Sequence, residues 1–375
     1  MMKYCKNCIL PNTRPGIFLN KEGICSGCLG HVKKDTLIDW NQRKIDFLEI
    51  VLEAKKKSTG YDCIVPVSGG KDSWYQIIVA KEMGLKVLAI TWKTPARTKI
   101  GKSNLSNMLA SLKVDHIDYS FSNETEKKFL VAAYEKTGVL GLPMHLGIFS
   151  MCTSMAIKLK IPLVIWGENS QLEYGGTENE QLATDLNDDW LNKHGCMEGT
   201  SANDWVGVNN ITVQDMVPYQ IPKVRDFIPK SIFLGSFIKW NSFEILKEVC
   251  KHGFIYEENK GKVGVWDFAD IDCNFISLHH FPKWHKFGMT RSFDNLSIQI
   301  RYGMITRNEA IETLKKKGLG IPKKDIEIFC KFVEKPEGWF WEICEKYRNT
   351  DIWYKDKDTW KIKDFLISDW NWIEN

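Results

Sequence analysis

The stretch IVPVSGGKDSWYQ, residues 64–76, sets a β-branched apolar run directly against Ser-Gly-Gly-Lys-Asp-Ser and then a helical pattern. A strand that breaks at two glycines and reopens as a helix is a ready anion cradle. Gly69 and Gly70 let backbone N–H groups approach a phosphate, the helix beginning near Asp72 adds its positive end, and Lys71 adds a charge. Two common phosphate loops fail on spacing. G-x-x-x-x-G-K-[ST] needs a glycine at position 65, where Val65 stands, and Asp72 replaces its metal-binding hydroxyl. The dinucleotide pattern G-x-G-x-x-G is absent as well.

Around this loop the apolar pattern alternates as in an α/β domain. Residues 38–57 have helical spacing, GLKVLAITW and DHIDYSF read as strands, and KIGKSNLSNMLASL reads as a helix. NETEKKFLVAAYEKTG reads as a helix opened by an Asn cap, MCTSMAIKLK as a further helix, and IPLVIW as a strand emptying into GENSQLEYGG. This order implies a parallel sheet with its ligand at the carboxyl ends of the strands. Residues 177–270, polar and Pro-spaced, read as an insertion or lid bearing on the acceptor, with FLGSFIKWNSFEILKEVCKHGF as a helix inside it. Beyond it, Lys286, Arg291 and Arg301 lie close together in sequence, either a solvated basic face or a phosphate clamp, before a capped helix from Thr306.

Four of the 11 cysteines form two C-x2-C pairs, Cys5/Cys8 and Cys25/Cys28, with 16 residues between the pairs. Two such knuckles close a tetrahedral S4 site that favours zinc, on a short ribbon that could hardly fold unaided. An iron–sulfur cluster, or cysteines that stay reduced, are the alternatives. GICSG, residues 23–27, also matches the G-x-C-x-G elbow of a class I glutaminase, but none of the eight histidines has Glu two places on to complete a triad. Cys25 is therefore expected to be a metal ligand. A net charge of +4 suits an anionic ligand without indicating a nucleic-acid face. No stretch approaches the roughly 18 apolar residues of a membrane span, and the amino terminus lacks a signal-peptide core, so a cytoplasmic protein without membrane insertion is expected. The many aromatic residues of the last forty positions read as core or subunit contact.

The loop SGGKDS after a strand closely resembles that of the PP-loop ATP pyrophosphatases (adenine nucleotide alpha hydrolase-like), which bind the pyrophosphate end of ATP there and transfer AMP to an acceptor oxygen. That resemblance places adenine near Thr91–Lys93, hence Trp92, and has Gly167, Glu168 and Asn169 face ATP and acceptor. Taken together, YCKNCILPNTRPGIFLNKEGICSGC, VPVSGGKDSWYQ, WGENSQLEYGG and KFGMTRSFDNLSIQIRYGMITRNEA resemble the N-acetyl sugar amidotransferases. Members of that family act in surface-polysaccharide and nonulosonic-acid pathways, including pseudaminic acid formation for flagellin glycosylation. The resemblance implies an ATP-dependent, AMP-forming conversion of a sugar acetamido group to an acetamidino group through an adenylylated imidate. In it Ser68, Gly69, Gly70 and Ser73 donate to phosphates, Lys71 and Arg291 (with Lys286 in the clamp) offset pyrophosphate charge, and Asp72 holds Mg2+. Glu168 or Asn169 positions the amide or deprotonates the incoming ammonium.

The expected organisation is a zinc ribbon (1–35), a PP-loop domain (36–300) with an insertion around 177–270, and a mainly helical, aromatic-rich C-terminal region (301–375). The expected partners are an N-acetyl sugar, a separate glutaminase subunit and an ammonia-channelling protein, with no nucleic acid. A tRNA-thiolating PP-loop enzyme is the main rival, and would need a reactive cysteine near the nucleotide. Outside the ribbon stand Cys63, Cys152, Cys196, Cys250, Cys273, Cys330 and Cys344, with no second close pair. A non-catalytic ATP-binding scaffold is the other rival.

Overall fold

Five strands, β1 (Cys63–Pro66), β2 (Val87–Trp92), β3 (Asp115–Tyr119), β4 (Leu163–Trp166) and β5 (Lys230–Phe233), pair in parallel in the order β3-β2-β1-β4-β5. The computed structural model describes residues 1–195, 199–222, 226–258 and 260–372. Because side chains alternate along a strand, the register Ile64↔Leu88 and Ile64↔Val164 sorts the apolar residues into two layers. Cys63, Val65, Leu163 and Ile165 face the helices Trp40–Lys57, Lys71–Glu82, Lys99–Leu112 and Ser242–Lys251. Ile64, Leu88, Ile90 and Val164 face the helices Asn123–Thr137 and Leu142–Lys158. The chain leaves β1 toward β2 and β3, then returns to the other side of β1 for β4 and β5. The order reverses between β1 and β4, and a doubly wound sheet opens its ligand crevice at the carboxyl ends of strands at such a reversal.

Three expectations change in detail. The cap before Asn123 is Ser122, and it makes no side-chain capping bond. The segment read as an insertion supplies β5, so its residues Lys230–Phe233 complete the sheet beside β4. The stretch 233–254 is a short 3-10 turn at Leu234–Ser236 and a helix only from Ser242, which Asn241 caps by accepting from the Phe243 and Glu244 amides. The C-terminal region is helical at Arg307–Lys317, Lys323–Val333 and Glu337–Lys346, and then adds an antiparallel hairpin, Trp353–Asp356 with Thr359–Ile362. Its aromatic residues are core: Trp353, Phe365, Trp370 and Trp372 pack around Trp284. Among the described residues no helix is long and apolar enough to cross a membrane.

All four knuckle cysteines are buried, and their sulfurs lie within 4.8 Å of one another. The Cys8–Cys25 and Cys5–Cys28 separations are 3.6 and 3.9 Å. A tetrahedron of zinc–sulfur bonds of about 2.3 Å has edges of about 3.8 Å, so the cluster has the dimensions of a closed S4 zinc site. Backbone amides of Cys8 and Cys25 donate to Cys5 Sγ at 3.5 and 3.2 Å, and that of Cys28 to Cys25 Sγ at 3.4 Å. Four thiolates with one Zn2+ would carry a net charge of about −2. Arg301, donating from Nη2 to Cys25 Sγ at 3.8 Å, would offset it.

The cluster does not stand apart. Ile9, Leu10 and the four cysteines share a core with Trp284, Phe293, Leu296, Leu314 and Trp353. Purified protein is expected to carry one zinc per chain, measured by elemental analysis. Cys25→Ser should lower both zinc content and Tm, because metal binding and folding are coupled in such ribbons. Full zinc occupancy in that variant would exclude the four-cysteine site.

Candidate active site

β1 ends at Pro66, and the chain turns through Ser68-Gly69-Gly70 into the helix Lys71–Glu82. Gly69 takes a φ of +91°, and a Cβ there would come within 2.7 Å of the Leu105 amide nitrogen, so the turn requires glycine on both counts. Ser68 Oγ accepts from the Gly70 amide at 3.2 Å, and Ser73 Oγ donates to the Gly70 carbonyl at 2.8 Å. Gly70 at the N-cap offers no side chain, so no side chain caps the first-turn amides of this helix. Lys71 is buried and donates to Asp72 Oδ1 at 2.5 Å.

A cavity of about 200 Å³ opens at this point. Ser68, Gly70, Lys71, Asp72 and Ser73 form one wall, and Glu168, following β4, lies on it as the sheet order requires. Burial, and then the Asp72 carboxylate, push the Glu168 carboxyl up to about 7. The far wall comes from three places: Glu173 and Tyr174, Trp240, and the run Trp266 to Asp272 with Arg291.

Arg291 starts the helix Arg291–Arg301 and donates to Asp270 Oδ2 at 3.3 Å, Asp294 Oδ2 at 3.5 Å and Tyr174 Oη at 3.1 Å. Burial would raise the Asp270 carboxyl, but Arg291 and His280 beside it hold it well below the usual carboxylate range. Asp270 itself has a φ of +57°, a left-handed backbone rarely adopted outside glycine. Burial raises the Asp272 carboxyl above its ordinary value, with the Ser68 hydroxyl opposing. Two cations, one carboxyl held low (Asp270) and two raised by burial (Glu168 and Asp272) therefore face an uncapped helix start. The loop with Lys71 and Arg291 fits a polyphosphate, and the carboxyl groups of Asp72, Glu168, Asp270 and Asp272 line the same cavity.

The expected site residues thus divide. Ser68, Gly70, Lys71, Asp72, Ser73, Glu168 and Arg291 line one cavity, with Gly69 shaping its loop. Gly167 lies beside Gln76 and Trp240, its carbonyl accepting from the Gly235 amide at 3.1 Å. Asn169 is fully buried and turned inward: its side-chain oxygen accepts from the Gln171 amide, and its Nδ2 donates to the carbonyls of Glu180, Gln181 and Ala183. It shapes the loop after β4.

Trp92 lines a separate, smaller cavity. Lys286 donates to the Thr137 carbonyl at 3.1 Å, and Arg301 to the Glu173 carbonyl at 2.8 Å as well as to the cysteine cluster, so the three bases do not form one clamp. Ten residues along an α-helix is about 15 Å, and that rise is what separates Arg291 from Arg301.

Tyr174, Glu173, Asp270 and Asp272 were not anticipated. The pair in ADIDCN was the available signal, two aspartates two apart just before the basic helix. Cys152 is packed in the layer below β4, and burial raises its thiol well above the usual range, which leaves no reactive thiolate there. Cys196 lies outside the described residues.

Residues 261–366 match the family model "LPS biosynthesis protein WbpG-like, C-terminal domain". This segment supplies Asp270, Asp272 and Arg291 to the cavity. No curated protein matches the chain. Among solved structures, similarity is found to the NMN synthetase from Francisella tularensis, at 14% identity and a TM-score of 0.26, over 34% of this chain and 54% of that one. It is also found to the NH3-dependent NAD synthetase from Campylobacter jejuni subsp. jejuni NCTC 11168 in complex with the nitrate ion, at 17% identity and a TM-score of 0.29, over 50% of this chain and 100% of that one. The chain thus joins a C-terminal region similar to that of the WbpG-like LPS biosynthesis proteins to an α/β body in which a glycine loop follows the first strand of a five-stranded parallel sheet.

Proposed function

We propose that this chain is an ATP-dependent, AMP-forming amidotransferase that converts the N-acetyl group of a surface-glycan sugar precursor into an acetamidino group, in a nonulosonic-acid pathway or a related one. The supporting observation is the cavity at the β1/β4 reversal, where an uncapped helix start, Lys71 and Arg291 face Glu168. The reaction suits those groups. An amide carbonyl is a poor electrophile with a poor leaving group, and transfer of AMP to its oxygen gives an imidate that ammonia can attack, with AMP leaving.

The first-turn amides and Ser73 hold phosphate oxygens, and Lys71 and Arg291 offset the charge that develops on pyrophosphate. Asp72 would hold Mg2+, which would neutralise phosphate charge when bound. Glu168, poised near neutrality, accepts the proton that the nitrogen sheds as it bonds to carbon. With Cys25 committed to the four-cysteine cluster, ammonia comes from a separate glutaminase subunit.

Incubation with ATP, ammonium and a panel of N-acetyl sugars is expected to yield AMP, pyrophosphate and a cationic sugar lighter by about one mass unit, the amidine keeping its proton at neutral pH as a strong base does. ADP as the product, or no ATP–pyrophosphate exchange with any N-acetyl sugar, overturns the proposal, and the second result would favour a scaffold. Lys71→Ala and Asp72→Asn should each lower turnover roughly a hundredfold or more.

Glu168 must be ionised to act, so kcat should rise with pH through about 7. Glu168→Gln should lose that limb and about two orders of magnitude in rate. The same shift has a stability sign. The folded state holds the Glu168 proton more tightly than the unfolded chain, so stability is lost as pH rises from the unfolded pKa through about 7. Glu168→Gln should therefore raise Tm at pH 8 and leave it unchanged at pH 4, as read by calorimetry.

The isolated chain is expected to use ammonium but not glutamine. Glutamate release by the pure protein, abolished by mutating one of its own cysteines, would show the glutaminase to be internal.

A further inference from the structure

A second cavity, of about 20 Å³, lies at the carboxyl end of β2. That is room for one water-sized molecule. Four residues from four different segments line it, and each carries a buried polar atom that makes no hydrogen bond within 3.5 Å, the Trp92 indole still lying near enough to the Glu126 carboxyl to lower it: Trp92 Nε1, Glu126 Oε1, Tyr219 Oη and His279 Nδ1. Glu126 and Tyr219 are 3% and 1% exposed. The other walls, such as Leu130 and Leu140, are mainly apolar, and the Thr94 hydroxyl is paired with Cys273 Sγ at 3.1 Å. Buried polar atoms are nearly always paired, so four unpaired ones around a single void describe a binding site for something small. The set is one obligate donor, the indole N–H, and three groups able to accept. Ammonia has the complementary set, one lone pair and three N–H bonds, and is the size of a water molecule.

We infer that this cavity is the ammonia site of the enzyme, which receives ammonium and hands on neutral ammonia, Glu126 taking the proton. The step balances: one N–H bond of ammonium breaks, its electron pair stays on nitrogen, and the proton becomes the Glu126 carboxylic acid. Burial pushes the Glu126 carboxyl up to about 8, against a smaller opposing effect of the Trp92 indole, so its carboxylate form, the acceptor in this step, is a base strong enough to take a proton from ammonium. The site also adjoins the place of use. Cys273 lines this cavity while its neighbour Asp272 lines the ATP cavity, so one backbone segment separates the two. The purpose of the site rests on the amidotransferase reading, but its occupancy does not.

Crystals soaked in thallium(I) acetate, Tl+ being a dense ion of ammonium size, should show an anomalous peak among Glu126, Tyr219 and His279. The peak should vanish on back-soaking with ammonium and in Glu126→Gln. A cavity holding only ordinary water under both soaks overturns the inference, whatever the reaction proves to be. In turnover, Glu126→Gln should raise the KM for ammonium about tenfold, the loss of one charge-assisted hydrogen bond, with the KM for ATP within about twofold of wild type. Tyr219→Phe keeps the packed ring, removes only the hydroxyl, and should give a smaller rise of the same kind. An ammonium KM unchanged in both variants also overturns the inference. A thallium peak in a protein that forms no amidine would keep the ammonium site and discard the proposed reaction.

Discussion

A guanidinium taken out of water must bring its partners with it, and Arg291 gathers the molecule around that requirement. Its desolvation is offset only because Asp270, Asp294 and Tyr174 all reach it. Asp294 is shared with Arg14, from the loop between the cysteine knuckles, which donates to it at 2.6 Å. Tyr174 lies between the two guanidiniums, with Arg14 and Arg291 carbons 5.4 and 5.2 Å from its ring centroid. One buried cation therefore fixes where the amino-terminal ribbon, the segment after β4 and the C-terminal helix meet. The cavity is the space they leave.

The cysteine cluster enforces the same geometry from behind. A Cβ on Gly27 would overlap both the Arg301 guanidinium and the Tyr174 carbonyl, so the second knuckle lies directly against the cavity wall. Arg301 bridges the cluster to the Glu173 carbonyl, and Lys34, on the helix that follows the knuckle, pairs with the Glu173 carboxylate. A metal held by that knuckle stiffens the backbone carrying Glu173 and Tyr174. Its contribution is to position these residues, because no cysteine of the cluster lines the cavity.

What could be read from the sequence follows the range of the interactions involved. The phosphate loop, the paired knuckles and the capping box at Thr306 and Glu309 are set by residues a few positions apart, and all three are present as local structure. The strand β5 was hidden because KSIF has only four residues and gains its partner from β4, far back in the chain. Asn169 resembled a ligand in WGENS, but the loop that folds back over it brings three carbonyls that consume its amide. Lys286, Arg291 and Arg301 looked like one cluster because sequence proximity ignores both the turn at Gly288, which puts Lys286 on a separate helix, and the rise of the helix Arg291–Arg301, so the three reach different partners.

The division of labour in the cavity also bears on specificity. The glycine loop and the helix start are backbone features, of the kind that suits an anionic ligand. The charges opposite them, Asp270, Asp272 and Arg291, come from the segment that matches the WbpG-like C-terminal domain. Asp270 adopts a left-handed backbone there and is held ionised by Arg291. Strain of that kind persists only where surrounding contacts over-determine it. The C-terminal region therefore does more than cover the sheet: it completes the site with side chains whose placement depends on the ribbon. In this architecture the cavity is closed at the junction of three chain segments, and Arg291 brings the third of them against the loop.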